Sequence, residues 1–302
     1  MNRTSLTLIV SLACCMRDAA ALQVRPLSSV EIMGRQVIVG RAHCAGATWL
    51  LTDGLELTRV SVDSLAASTS PLRGLRPGEK PWGLACLSNG ELWTLATHDA
   101  LARLTADGRV VERVRLDKPG LGIYGAGAQL LLQHLPAEVG KPLLSAGLPR
   151  NLSSFAHWPA PLSQHALSPE EQLRANLVSC GIGTSGFVPC WLVGRTRLVV
   201  GDGTPGHTTV RELRFVRAGT VDDSVPIWDV ALAGASRVWV LASARAGPDG
   251  RRLGGRLTRS TRRGTDEGFI DLSPSARLIL WAVDDRCVLL SVTGQLLEVF
   301  AP

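Results

Sequence analysis

Asp229 and Asp271 are the carboxylates whose placement in this sequence invites chemistry, because each lies one residue after the start of a recurring apolar unit. Four other units carry Val39, Gly83, Gly122 and Gly181 at that position. If the units are equivalent in space, two carboxylates meet at one mouth of a shared channel, as a cation or polar ligand would require. A calcium ion takes about 6 to 8 oxygens, so the plainer expectation is that each Asp accepts local backbone amides in a turn. No cofactor is read, with a channel-bound divalent cation as the alternative.

Other chemical patterns are weaker. His43, His98, His134, His157, His165 and His207 have no HxH, HExxH or CxxC companion, so no zinc site and no catalytic residue can be assigned. Two GxGxxG matches, Gly120 to Gly125 and Gly181 to Gly186, are each followed by strand-like rather than helical sequence. That excludes a dinucleotide fingerprint and points to close backbone approach near a crowded axis. Arg251, Arg252, Arg256, Arg259, Arg262 and Arg263 form the strongest charge run. It reads as a charged strand edge, or as a surface for an acidic partner; no aromatic residues are interleaved for base stacking, so no specific nucleic-acid partner is expected.

These groups need a scaffold, and the tryptophans supply its signature. Trp82 and Trp93 are eleven residues apart, as are Trp228 and Trp239, and the offset recurs from Ile38 to Trp49, Leu121 to Leu132, Cys180 to Trp191 and Ile270 to Trp281. Units of about 40 to 50 residues that repeat one apolar pairing build stacked or radial arrays. The segment from Pro81 to Asp117 is written most clearly: Trp82 to Leu87, an Asn89-Gly90 hairpin, Leu92 to Ala96, Ala100 to Leu104, an Asp107-Gly108 turn, then alternating Val110 to Leu116. This predicts an all-β, six-bladed β-propeller of four-stranded antiparallel sheets, with seven blades as the alternative. The ring would be fastened by pairing Gln295 to Phe300 with Leu22 to Ser29.

Within that unit the stretches PWGLA, NGELWTLA and LTADGRVV resemble blades of the NHL, streptogramin-lyase-like and related propeller families. The resemblance is partial over the fifth and sixth units and weak elsewhere. It implies a propeller with a central channel. In the lyase-like relatives the second strand continues into a Thr-Glu step, whereas Trp93-Thr94 is followed here by Leu95-Ala96, so no catalytic residue carries over.

Residues 1–21 read as an export signal: Arg3, an apolar stretch from Leu6 to Cys15, then Ala19-Ala20-Ala21. A lipoprotein anchor through Cys14 or Cys15 is the alternative. Residues 22–302 are expected to form one propeller domain, without a transmembrane segment, interrupted by an insertion at 136–176 that ends in a short helix near Ser168 to Leu173. Beyond the signal, Cys44, Cys86, Cys180, Cys190 and Cys287 remain, and Cys180 with Cys190 could pair across a hairpin. A formal net charge of +6 is too mild to identify a partner. The expectation is a secreted or periplasmic, monomeric, non-catalytic propeller that binds a protein or polysaccharide. A lactonase- or lyase-type enzyme with a channel-mouth site is the alternative.

Overall fold

The computed structural model describes residues 22–29, 36–44, 46–134, 144–151, 155–158, 168, 170, 175–183, 186–193, 197–201, 208–212, 215–217, 220–222, 227–234, 236–243, 255–261, 265–272, 276–283, 285–291 and 294–301. Their strands form six four-stranded antiparallel sheets, or blades. Blade 1 contains Ile38–Cys44, Ala47–Thr52, Glu56–Ser61 and Ala67–Pro71. Blade 2 contains Trp82–Cys86, Leu92–Thr97, Ala100–Leu104 and Val110–Arg115. Blade 3 contains Gly120–Ala126, Gln129–His134, Leu144–Gly147 and Ala156–Trp158, and blade 4 Ala175–Gly183, Gly186–Val193, Arg197–Gly201 and Thr208–Glu212. Blade 5 contains Ile227–Ala233, Arg237–Ser243, Gly255–Thr261 and Asp266–Leu272. Blade 6 takes Ala276–Ala282, Arg286–Ser291 and Gln295–Phe300 from the C-terminal end and Gln23–Ser29 from the N-terminal end. A small extra hairpin, Phe215–Arg217 with Thr220–Asp222, lies between blades 4 and 5 in the sequence.

The first strand of each blade contacts the first strands of its two neighbours, and the last contact, between blades 6 and 1, completes a circle. The chain therefore has the β-propeller fold. Closure occurs where the sequence places it: Gln23 pairs with Phe300, Val24 with Val299 and Arg25 with Glu298. Glu298 is almost wholly buried and is held between Arg25 on one neighbouring strand and Arg286 on the other. Buried carboxylates persist when paired in this way.

Each buried apolar cluster joins two adjacent blades. Trp49 packs with Leu84, Leu92 and Leu104 of blade 2, Trp93 with Ile123, Leu130 and Leu132 of blade 3, and Trp239 with Ile279, Leu289 and Val299 of blade 6. Alternate side chains face the preceding blade, as Leu50 does toward Leu280 and Leu290 of blade 6. The indoles are thus wedges between sheets. Beside them lies a cross-strand arginine: Arg59 is opposite Trp49, Arg103 opposite Trp93 and Arg259 opposite Trp239. The guanidinium carbons of Arg59 and Arg259 lie 5.9 Å from their indole centroids, within cation–π range. Arg103 and Arg259 also pair with Glu112 and Glu267 on the outermost strands. A Trp–Arg–Glu ladder thereby runs outward across blades 2 and 5.

Three expectations need correction. Ile270 lies on the outermost strand of blade 5 and Trp281 on the innermost strand of blade 6, so that pair is not the sixth copy of the repeat. The N-terminal strand completes blade 6, which frees Asp266–Leu272 to finish blade 5. In blade 4 it is Cys190 that joins the cluster shared with blade 5, so Trp191, next to it and fully buried, belongs to the other face of its sheet. Within the span 136–176, expected as an insertion, Leu144–Gly147 and Ala156–Trp158 supply the two outer strands of blade 3. The export signal with Cys14 and Cys15 lies outside the described residues, and of the helix expected near its end only Ser168 and Glu170 are described. No helix among the described residues is long and apolar enough to cross a membrane.

A disulfide, Cys44–Cys86, joins the ends of the innermost strands of blades 1 and 2 across a Cα separation of 5.8 Å. A link closing 42 residues is worth about 4 kcal/mol in the chain-entropy account. A non-reducing peptide map should find the Cys44 peptide joined to that of Cys86, and reduction should lower the denaturant midpoint. Free alkylation of both without reductant would contradict the pairing. Replacing Trp93 or Trp239 by Ala should cost about 3 to 5 kcal/mol in denaturant unfolding, with Phe restoring part of it. An unchanged midpoint would show that the indoles are not wedges.

Candidate functional site

Six innermost strands around one axis leave little room, and the sequence meets this with glycine. A Cβ on Gly40 would lie 2.7 Å from the Gly83 carbonyl carbon, and one on Gly125 would lie 2.0 Å from the Cys86 oxygen. Gly83 adopts φ +63° and faces Ile123. The Gly120 to Gly125 match is therefore explained by close strand approach between blades 2 and 3. The side chains around Gly181 to Gly186 lie outside the described residues.

What remains open along the axis is a cavity of about 670 Å³. Its lining includes Val37, Trp82, Leu121 and Trp228 near the starts of the innermost strands and His43, Tyr124 and Ala282 toward their ends. Val37 and Trp228 are exposed at the rim. Trp82 is fixed there, donating its indole N–H to the Leu121 carbonyl at 3.1 Å and packing edge-on against His98 at 4.6 Å. His98 and His134 in turn place Nδ1 3.2 and 2.9 Å from the Gly120 and Pro119 carbonyls. Three consecutive carbonyls, Pro119, Gly120 and Leu121, are thus met by ring nitrogens; Trp82 and His98 span the seam from blade 2 to blade 3, and His134 acts within blade 3.

Midway along the channel Arg41 of blade 1 reaches across to Asp229 of blade 5 and to the Ile279 carbonyl of blade 6. Asp229 also accepts the backbone N–H groups of Val230 at 2.9 Å and Ile279 at 2.7 Å. With two more donors from Arg41, the carboxylate has one donor for each of its roughly four acceptor sites. It is held as a structural anion. Cys287 is fully buried nearby, and burial together with the Asp229 charge pushes its thiol well above the usual range, so it stays protonated.

His43 lies farther along the same strand. Its Nδ1 is 3.1 Å from Thr48 Oγ1, and the Thr48 hydroxyl donates to the Leu280 carbonyl of blade 6 at 3.2 Å. Since the single hydroxyl hydrogen is committed to Leu280, Nδ1 carries the proton and Nε2 is an acceptor. Burial lowers the His43 pKa, which keeps the ring neutral.

Asp229 therefore does line the channel, while Asp271 does not. Asp271 sits on the outermost strand of blade 5, exposed, and pairs with Arg256 at 2.6 Å. The two carboxylates do not meet, because Asp271 belongs to the outermost strand of blade 5 and not to the first strand of blade 6. Nor do Arg256 and Arg259 form a free basic surface: Arg256 is bound by Asp271 and lies 4.3 Å over Phe269, and Arg259 is bound by Glu267 and Trp239. Arg251, Arg252, Arg262 and Arg263 lie outside the described residues. Cys190 is buried and pairs in register with Ser179, while Cys180 pairs with Pro189; the Cys180 side chain is not among those described. Sequence reasoning missed Arg41 and the Cys44–Cys86 link. The signal for the disulfide was present, since both cysteines end the first strand of consecutive units. Among the described residues no group of three or more His, Cys, Asp or Glu side chains is arranged to hold a metal.

No family model and no curated protein matches this sequence. Solved structures do. A catalytically inactive virginiamycin B lyase from Staphylococcus aureus with quinupristin aligns with a TM-score of 0.55 at 13% identity, over 92% of this chain and 99% of that one. The WD40 repeats of RRP9 align with a TM-score of 0.55 at 10% identity, over 92% and 97%. The β-propeller domain of Cps50 (Swd1) from Myceliophteria thermophila gives 0.53 at 10%, over 93% and 100%. At these identities the likeness shows the propeller fold, shared here by a lyase and by a protein with WD40 repeats, and carries no activity.

The neutral His43 sets a pH dependence. Its folded pKa is depressed below the ordinary 6.5, so the unfolded chain binds more protons and stability falls as pH drops from about 6.5 through the folded value. His43→Gln should flatten the loss of melting temperature between about pH 7 and 5 relative to wild type. Parallel curves for the two proteins would show that His43 is not held neutral in the fold.

Proposed function

We propose that this chain is a non-catalytic binding propeller, acting outside the cytoplasm, that engages a protein or a surface glycan through the channel face carrying Val37, Trp82, Leu121 and Trp228. The observation that carries the reading is the saturated carboxylate: Asp229 is the acidic side chain among the described channel-lining residues, and Arg41 with two backbone amides occupies it. A general base or metal ligand needs free lone pairs, and taking them here would leave Arg41 half-buried without its counter-ion. The rim, by contrast, offers apolar and aromatic surface braced by cross-blade hydrogen bonds, the pattern of a preorganised contact patch. Export is supported by the first 21 residues and agrees with a cross-blade disulfide.

A photocrosslinking amino acid at position 37, in the native host, tests this. Crosslinks to one discrete protein or polysaccharide, lost when Trp228→Asp is added but kept with Asp229→Asn, are expected. Crosslinking that ignores Trp228, or purified protein that opens lactones in an Asp229-dependent manner, would overturn the reading in favour of a lactonase- or lyase-type enzyme.

A further inference from the structure

The channel holds an unused recognition element besides its rim. A guanidinium has five N–H donors in a fixed plane. Arg41 spends three: Nη1 on Asp229 and on the Ile279 carbonyl, and Nη2 on Asp229. Asp229 takes the end-on edge, so the hydrogens left over, on Nε and on Nη2, lie parallel along the adjoining edge, with no partner among the described residues. Arg41 lines the cavity and its side chain is 23% exposed, so this edge is open to what the cavity holds.

We propose that the cavity takes a small neutral molecule with an apolar, ring-sized body and a carbonyl oxygen at one end, the oxygen bound by the free Nε and Nη2 edge of Arg41. Volume fits: about 670 Å³ is the size range of pockets for drug-sized ligands. The walls fit too, because Trp82, Leu121 and Trp228 supply apolar and aromatic surface near the rim. Charge decides between a neutral carbonyl and a carboxylate. Asp229 already compensates the guanidinium, so a second carboxylate would face the first across one cation in a half-buried space, whereas a neutral oxygen gains two donors at no charge cost. His43, exposed toward the other end of the channel lining, offers Nε2 as a further acceptor for an N–H or O–H.

This inference goes beyond the binding of a macromolecule at the rim, and the two can fail separately. The test uses the purified full chain and three probes of one shape, 2-naphthamide, 2-naphthoate and naphthalene, compared by ligand-observed NMR competition titration. Wild type should bind the amide at least about tenfold tighter than either other probe, the size of a good polar contact. Arg41→Met should erase the preference while naphthalene still binds. Asp229→Asn, which leaves the guanidinium uncompensated, should turn the preference toward naphthoate. Equal binding of amide and naphthalene by wild type, absence of binding by all three probes, or an amide preference that survives Arg41→Met would overturn the proposal. The wild-type comparison alone is decisive if a variant fails to fold, and melting curves of each variant show whether it has.

Discussion

Closing twisted sheets into a ring forces six first strands to share one axis, and that crowding governs the rest of the molecule. Near the axis the backbones touch, so Gly40, Gly83 and Gly125 stand where a Cβ would collide. One strand farther out the gaps between sheets widen, and Trp49, Trp93 and Trp239 fill them. Small at the centre and large at the second strand is what a radial wedge requires. Arg41 then ties blade 1 to blades 5 and 6 through the channel itself, while Gln23–Ser29 ties the N-terminal end to blade 6 at the outside.

The same closure determines what the channel can do chemically. A carboxylate pointed at the axis would be a natural site for acid-base work or for a metal ion, yet here it serves as the acceptor for an arginine crossing from another blade. The ion pair is half-buried, where breaking it costs more than at an exposed surface. The polar centre of the channel is therefore structural at Asp229, whose acceptor sites are taken by Arg41 and two backbone amides. At the rim the lining changes to Val37, Trp82, Leu121 and Trp228.

Much of this fold was legible from residue spacing, because a Trp or Leu eleven residues into a unit and glycine-bearing turns such as Asn89-Gly90 are local signals that survive weak repetition. Closure by the first strand was legible too, since Gln295 to Phe300 needed a partner. The frame of the last unit was not. Ile270 and Trp281 keep the eleven-residue offset by coincidence, and only the N-terminal strand's entry into blade 6 reveals that Asp266–Leu272 finishes blade 5. Asp271 therefore lies on the outer strand of blade 5 and not on the channel. The Arg41–Asp229 contact spans 188 residues, and no local pattern announces it. The arginines beside Trp49 and Trp93 were readable in principle, each ten residues on at Arg59 and Arg103, where a regular hairpin sets them opposite.

The contact across the axis is the most direct test of the whole arrangement, because Arg41 and Asp229 are neighbours only if blades 1, 5 and 6 surround one channel. A double-mutant cycle with Arg41→Met and Asp229→Asn, read by denaturant unfolding, should give a coupling of about 1 to 3 kcal/mol. Effects that add within about 0.5 kcal/mol would mean that the two side chains do not meet, and the ring drawn around them would be wrong.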